Sequence, residues 1–274
     1  MTSDIDIAAV LAALREAAAR TATLLRTLPD ADAAVPGLGW SAAETAAHLV
    51  GELRYYTGFI TGERDARDLL ALATEAKTPA ERNALSNARM LEEFAERDVH
   101  RLADMMVPAV RDFTAASERR PHDEPVLTAT GLYMTVPVMA AALLGEQLIH
   151  GLDIARAVAA RWPITSEDAL LVIGGVVAMM PGYVDPRQTA GLHLTYELRF
   201  RGGPRYRLTV DDGTASVTAP GGKADCWIAA DPVAFLLVGY GRAGQWGHAL
   251  RGKIISGGRR PWLGLRFGKL LTSV

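Results

Sequence analysis

The sequence predicts a chain of mixed class, in which an N-terminal four-helix bundle precedes an α+β domain with an antiparallel sheet. The chain has 274 residues, more than one ordinary domain needs to bury a core. Four long stretches before about residue 165 carry apolar residues at helical spacing. After about residue 190, apolar and polar residues alternate as they do in half-buried strands. We therefore predict a helical domain over residues 1–165 and an α+β domain over residues 166–274.

The composition is that of a globular protein with no overall electrostatic preference for a partner. Hydrophobic residues make up 49% of the chain, charged residues 22%, and the formal net charge is −2. These values disfavour disorder and a nucleic-acid-binding surface. Cys226 is the single cysteine, and the first residues lack the basic start and apolar core of a signal peptide. We expect a cytoplasmic protein that does not bind nucleic acid.

The first two helices are predicted from an apolar stripe and from a start signal. Apolar residues recur every three or four positions over 7–28, and the prolines and glycines of 29–39 end that helix. Ser41 and Glu44 then form a capping-box pattern, in which each side chain binds a free amide of the other residue. His48 follows two turns into this second helix.

The third and fourth helices are predicted in the same way. Thr78–Glu81 supplies a cap, a first-turn proline and a capping-box acid for a helix that we expect to continue unbroken to about Ser117. The fourth helix is predicted from about Thr135 to Arg161. The uncharged run Val126–Gly145 approaches the length of a membrane span. Because it contains polar residues and continues into a charged helix, we interpret it as a buried bundle helix and expect no stable membrane insertion.

The second domain is predicted to begin with a short apolar helix over 168–180. Three alternating segments separated by glycine-containing turns then predict an antiparallel meander over 192–219. Asp231 and Pro232 are typical of a helix start, and that helix should continue to about Val238. A last strand near 253–256 and a terminal helical stretch containing Trp262 complete the predicted domain.

Three residues of the bundle form a candidate metal site. Glu146 and His150 are four residues apart on one helix, so their side chains share a face at roughly 6 Å along the axis. His48 comes from another helix, and an imidazole-rich set without thiolates suits zinc or a similar divalent transition metal. Three ligands leave one coordination position open for water, thiolate or substrate. Asp153 is placed to orient the imidazole of His150.

Spacing alone leaves this assignment open. A glutamate and a histidine four residues apart on a helix often occur together by chance. Glu52 lies one turn beyond His48 and is an alternative carboxylate ligand.

Two segments around these residues resemble a known family. They are PGLGWSAAETAAHL at residues 36–49 and GEQLIHGLD at residues 145–153. Both are similar to segments of the mycothiol-dependent maleylpyruvate isomerase-like proteins, whose N-terminal domain is a DinB-like four-helix bundle. The resemblance implies that His48, Glu146 and His150 bind the metal. It also implies mycothiol as a cofactor, whose sulfur the metal would bind and whose pKa it would lower.

The second domain resembles the sterol-carrier-type domain that is often attached to this bundle. The similar segments are AADPVAF at residues 229–235 and GKIISGG at residues 252–258. The resemblance therefore covers nearly the whole chain.

The C-terminal segment is basic, with no acidic residue and seven positive charges over residues 232–274. Because arginine pairs well with planar carboxylates, we predict that Arg259 or Arg260 binds an anionic substrate. A solvated basic face is the alternative interpretation. Cys226 lies in an apolar, strand-like stretch and is predicted to be an inert core thiol.

These observations lead to one main functional hypothesis. It is a metal-dependent enzyme that activates a small thiol for isomerisation or S-transfer on a small electrophilic substrate. A protein that binds a lipid or another apolar molecule, with a structural metal site, is one alternative. A metal-containing scaffold for partner binding is another.

Overall fold

A computed structural model describes residues 5–272, which form two compact units, Ile5–Ile164 and the part from Thr165 onward. The first unit is helical, with one short hairpin. Its helices are α1 (Ile7–Arg26), α2 (Ala42–Thr61), α3 (Ala66–Leu72), α4 (Pro79–Glu93), α5 (Val99–Glu118) and α6 (Val136–Ala157), and its strands are β1 (Val126–Leu127) and β2 (Tyr133–Met134).

Helices α1, α2, α5 and α6 form the predicted four-helix bundle. Both α1 and α2 pack against α5 and α6. The core contains fully buried residues from all four helices, including Leu14, Leu49, Met106 and Leu144. The predicted capping box at the start of α2 is confirmed, because the Glu44 amide donates to Ser41 Oγ at 3.2 Å and the Ser41 amide donates to Glu44 Oε2 at 2.8 Å.

The prediction of one unbroken third helix is wrong, because residues 94–98 separate α4 from α5. The guanidinium of Arg97 donates to three backbone carbonyls at the end of α4, those of Leu91, Phe94 and Glu96. Asp98 then caps α5 by accepting hydrogen bonds from two backbone amides of its first turn. No glycine or proline marks this break, so helical periodicity continues across it in the sequence.

The run Val126–Gly145 is helical only in its second half. Its first residues form the β1–β2 hairpin, and α6 begins after Thr135. By length and composition α6 is able to cross a membrane, but 83% of its most apolar window is buried inside the protein. It ends at Ala157, four residues before the predicted end, and Ala159 has a φ of 54°.

The second unit contains a five-stranded sheet, one helix of 18 residues and several shorter helices. The strands are β3 (His193–Phe200), β4 (Arg205–Asp211), β5 (Thr214–Thr218), β6 (Cys226–Ala230) and β7 (Ile254–Gly257). The helices are α7 (Ser166–Tyr183), α8 (Pro186–Thr189), α9 (Pro232–Gly239), α10 (Gln245–Leu250) and a 3₁₀ helix (Pro261–Leu270).

The sheet has the order β5-β4-β3-β6-β7. The predicted meander β3–β4–β5 is antiparallel, as is the pair β6–β7, whereas β3 and β6 run parallel. One face of the sheet is buried, and the 3₁₀ helix covers part of it through Phe267, whose ring lies 5.3 Å from that of Tyr196. Cys226 is fully buried here, and burial raises the pKa of its thiol. The thiol is therefore a core group, as predicted.

A tryptophan beyond the end of α6 packs back onto that helix. The Trp162 indole donates a hydrogen bond to the carbonyl of Leu148 at 2.9 Å, and the Arg20 guanidinium lies 4.3 Å from the ring centroid. A Cβ at Gly151 would lie 2.2 Å from a ring atom of Trp162. Gly151 therefore allows the indole to lie against the backbone of α6.

We expect Gly151→Val to destabilise the helical unit. The added side chain would displace the indole and break its hydrogen bond, and such overpacking costs about 1–3 kcal/mol. Urea unfolding followed by circular dichroism measures the change. Gly39→Val is the control, since a Cβ at Gly39 meets no atom within 4 Å. Equal stability of the two variants would contradict the packing role of Gly151.

Candidate metal centre

The bundle brings His48, Glu146 and His150 together where α2 packs against α6. The Nε2 atoms of His48 and His150 lie 3.3 Å and 3.0 Å from the same oxygen, Glu146 Oε2. All three donor atoms lie within 4.8 Å of one another. Residues separated by 98 positions in the sequence thus form one compact cluster.

The cluster has the dimensions and chemistry of a three-ligand metal site. Donor atoms about 2 Å from a tetrahedral zinc ion lie roughly 3.3 Å from each other. Both distances to Glu146 Oε2 are close to this value. Two imidazoles and one carboxylate also form a donor set that divalent transition metals accept. The residues present therefore fit a metal ion of this class.

Access to the cluster is asymmetric. His48 is 1% exposed and His150 9%, whereas the side chain of Glu146 is 21% exposed. The ring of Trp40 lies 5.0 Å from that of His48 and 6.2 Å from that of His150. Trp40 thus lies beside both imidazoles, and Glu146 is the most exposed of the three donor residues.

The protonation states follow from burial and from the short contacts. Burial lowers the pKa of His48, so this imidazole is neutral near pH 7. Burial would also lower the pKa of His150, but hydrogen bonds to Asp153 and Glu146 outweigh it and raise the pKa to about 9. Burial would raise the pKa of Glu146, yet its bonds to the two histidines hold it well below the ordinary value. Metal binding therefore needs the loss of one proton, from His150.

Asp153 lies where the sequence predicted a residue that orients His150. Its Oδ2 is 3.1 Å from His150 Nδ1, and its carboxylate is buried. A hydrogen bond at Nδ1 leaves Nε2 directed toward Glu146, which sets the imidazole in the orientation a ligand needs.

The alternative carboxylate, Glu52, is buried but lies outside the three-residue cluster. Burial, reinforced by the negative charge of Glu146, raises the pKa of Glu52 well above its usual range. The geometry therefore favours Glu146 over Glu52 as the acidic ligand.

Trp40 is the site residue whose role the sequence did not reveal. It precedes the Ser41 cap and falls outside the helical periodicity that relates His48 to its neighbours. Its position in the PGLGW segment was the only signal for it.

The two arginines predicted to bind substrate lie in the second unit, beside Asp225. The Arg259 guanidinium forms a short ion pair with Asp225, and Arg260 Nε lies 4.0 Å from the same carboxylate. The hydrogen bond from Arg259 is the main reason that the pKa of Asp225 is lowered. Asp225 also accepts the Thr195 amide, so the ion pair ties the segment after β7 to β3.

The family model for the mycothiol maleylpyruvate isomerase N-terminal domain matches residues 14–155. The match covers just over half of the chain and includes all three residues of the cluster. This chain belongs to that family. A comparison with curated proteins found no match.

Solved structures extend the similarity of this family member to its second unit. A crystal structure of the mycothiol-dependent maleylpyruvate isomerase is 16% identical with a TM-score of 0.52, covering 93% of this chain and 95% of that chain. A crystal structure of a mutant of that isomerase is 15% identical with a TM-score of 0.51 and the same coverage. At this identity the comparison shows a shared fold, which confirms the predicted fold class.

The raised pKa of His150 predicts a pH-dependent stability for the metal-free protein. The folded pKa of about 9 exceeds the ordinary 6.5, so the stabilisation is fully present below pH 6.5 and is lost as the pH rises through 9. We expect the free energy of unfolding to fall by roughly 1–3 kcal/mol over that range. Urea unfolding of chelator-treated protein tests this. His150→Gln, which does not titrate, should show a flatter profile; parallel profiles would contradict the prediction.

Proposed function

We propose that this protein is a metal-dependent enzyme that activates mycothiol for isomerisation or S-transfer on a small, electrophilic, anionic substrate. The supporting observation is the His48, Glu146 and His150 cluster, whose donor atoms lie within 4.8 Å in a member of the mycothiol maleylpyruvate isomerase family. Zinc, or a transition metal of similar preference, is the proposed ion.

Each residue of the cluster has a definite role in this proposal. His48, Glu146 and His150 hold the ion, and a set of three protein ligands leaves one position for an external molecule. When bound, the ion supplies positive charge that lowers the pKa of a thiol toward neutrality. Asp153 holds His150 in its ligating orientation, and Trp40 restricts water on the side of the two imidazoles.

Substrate recognition by Arg259 or Arg260 remains a separate part of the proposal. Arg259 is already paired with Asp225, whereas Arg260 lies at the longer distance of 4.0 Å from it. Arg260 is therefore the freer of the two cations for a substrate carboxylate. A substrate that binds Arg259 must compete with Asp225.

We expect purified protein supplied with zinc to retain one metal ion per chain, measured by elemental mass spectrometry after dialysis. His48→Ala and His150→Ala should lose it, because two donors rarely hold zinc firmly. Glu52→Gln is the control, since Glu52 lies outside the cluster and should leave the metal content unchanged. A wild-type protein that retains no metal would refute the proposed site.

The thiol step has its own test in cobalt-substituted protein. Mycothiol should change the visible spectrum of the bound cobalt, because sulfur at the open position alters the ligand field. The change should persist in Cys226→Ser, which removes the buried thiol of the chain itself. It should be absent with the oxygen analogue of mycothiol. A spectrum that does not change when mycothiol is added would refute the proposed thiol activation without affecting the proposed metal site.

A further inference from the structure

Large exposed apolar side chains are concentrated at one edge of the second unit. Among the described residues, five of the nine such side chains fall within 246–265. They are Trp246, Leu250, Ile255, Trp262 and Leu265, of which Leu250 is 88% exposed. They belong to α10, β7 and the 3₁₀ helix, and we call these three elements, with the turn 251–253 between α10 and β7, the edge surface. Both helical elements pack against β7, the edge strand of the sheet.

The edge surface also carries cations without acidic partners. Arg251, Lys253, Arg266 and Lys269 are exposed, and none of them forms an ion pair within residues 5–272. No aspartate or glutamate occurs after Asp231 in the sequence. Arg259 and Arg260 differ, because both lie within 4.0 Å of Asp225, whose single negative charge offsets part of their positive charge.

The 3₁₀ helix arranges its apolar and basic residues in adjacent rows. In this helix type, residues three apart lie above one another. Trp262 and Leu265 therefore form one exposed row. Arg266 and Lys269 are exposed in the next row, which begins with the buried Leu263. Phe267 and Leu270 point inward and are buried. The outer side of the helix thus presents apolar side chains directly beside cations.

The α10 region repeats this composition. Trp246 and Leu250 are exposed on α10, and Arg251 and Lys253 follow directly after it. The edge strand is therefore flanked on both sides in the sequence by a tryptophan, a leucine and two cations, from α10 with the turn after it and from the 3₁₀ helix.

We infer that the edge surface binds peripherally to an anionic lipid membrane. Tryptophan favours the interface between water and hydrocarbon, and leucine gains free energy on entering the acyl boundary. Lysine and arginine are attracted to anionic headgroups. Nucleic acid would satisfy the cations but offers little to exposed leucines. This inference does not depend on the metal site or on the proposed thiol chemistry.

Vesicle flotation with the full chain tests the inference. The protein should float with vesicles containing phosphatidylglycerol and not with pure phosphatidylcholine vesicles, and added salt should weaken the association. Arg266→Glu/Lys269→Glu should reduce binding by at least roughly 30-fold, because each cation removed accounts for about fivefold and each new carboxylate is repelled by the anionic headgroups. Trp262→Ser/Leu265→Ser should reduce it as well.

Two control variants test whether vesicle binding depends on the edge surface or only on the overall charge and hydrophobicity of the protein. Arg187→Glu/Lys223→Glu makes the same charge change at exposed positions of the same unit, and Leu72→Ser removes an exposed leucine of α3. Both controls should bind like the wild type, and all variants should keep their metal content. Absence of wild-type binding to anionic vesicles would overturn the inference. Equal losses of vesicle binding in the control variants would also overturn it, as would dimerisation through Trp262 and Leu265 without vesicle binding.

Discussion

The carboxylate of Glu146 is the contact on which the arrangement of the helical unit depends. One of its oxygens lies within 3.3 Å of two imidazoles from packed helices, so a partly buried negative charge is balanced by groups that no single helix supplies. A buried charge without such partners would be strongly destabilising. A small residue also shapes the packing here: Gly151, next to His150, lets the indole of Trp162 lie against the backbone of α6. The metal site and the helix packing are therefore one structural feature.

Local chemistry explains how much of the fold the sequence could predict. The capping box at Ser41 and the alternation in β3 depend on near neighbours, and both were correctly predicted. The break between α4 and α5 depends on Arg97. Its guanidinium binds backbone carbonyls, and the spacing of apolar residues gives no sign of such contacts. In the metal centre, spacing indicated the pair Glu146 and His150. His48 was included because it lies on another helix of the bundle, and only the family resemblance supported that choice further, since a partner 98 residues away leaves no local pattern.

In the basic C-terminal segment, the pairing of charges could not be predicted from the sequence. Its excess of positive charge is evident from composition, but composition does not distinguish paired from unpaired cations. Asp225, 34 residues before Arg259, pairs with that arginine and lies 4.0 Å from Arg260, so the two arginines predicted to bind a substrate carboxylate already face a carboxylate of the chain itself. The unpaired cations lie instead beside exposed tryptophans on the edge of the sheet. Pairing within the fold thus determines which charges remain available to a partner.

The indole of Trp40 gives the metal centre an intrinsic optical reporter. Its ring lies 5.0 Å from His48 and 6.2 Å from His150, so its excited state senses whether those imidazoles hold a proton or an ion. A paramagnetic ion at that distance quenches indole emission, whereas a closed-shell ion such as zinc does not. In a chain whose other four tryptophans are replaced by phenylalanine, the emission of Trp40 would follow occupancy of the site in real time, without an added label.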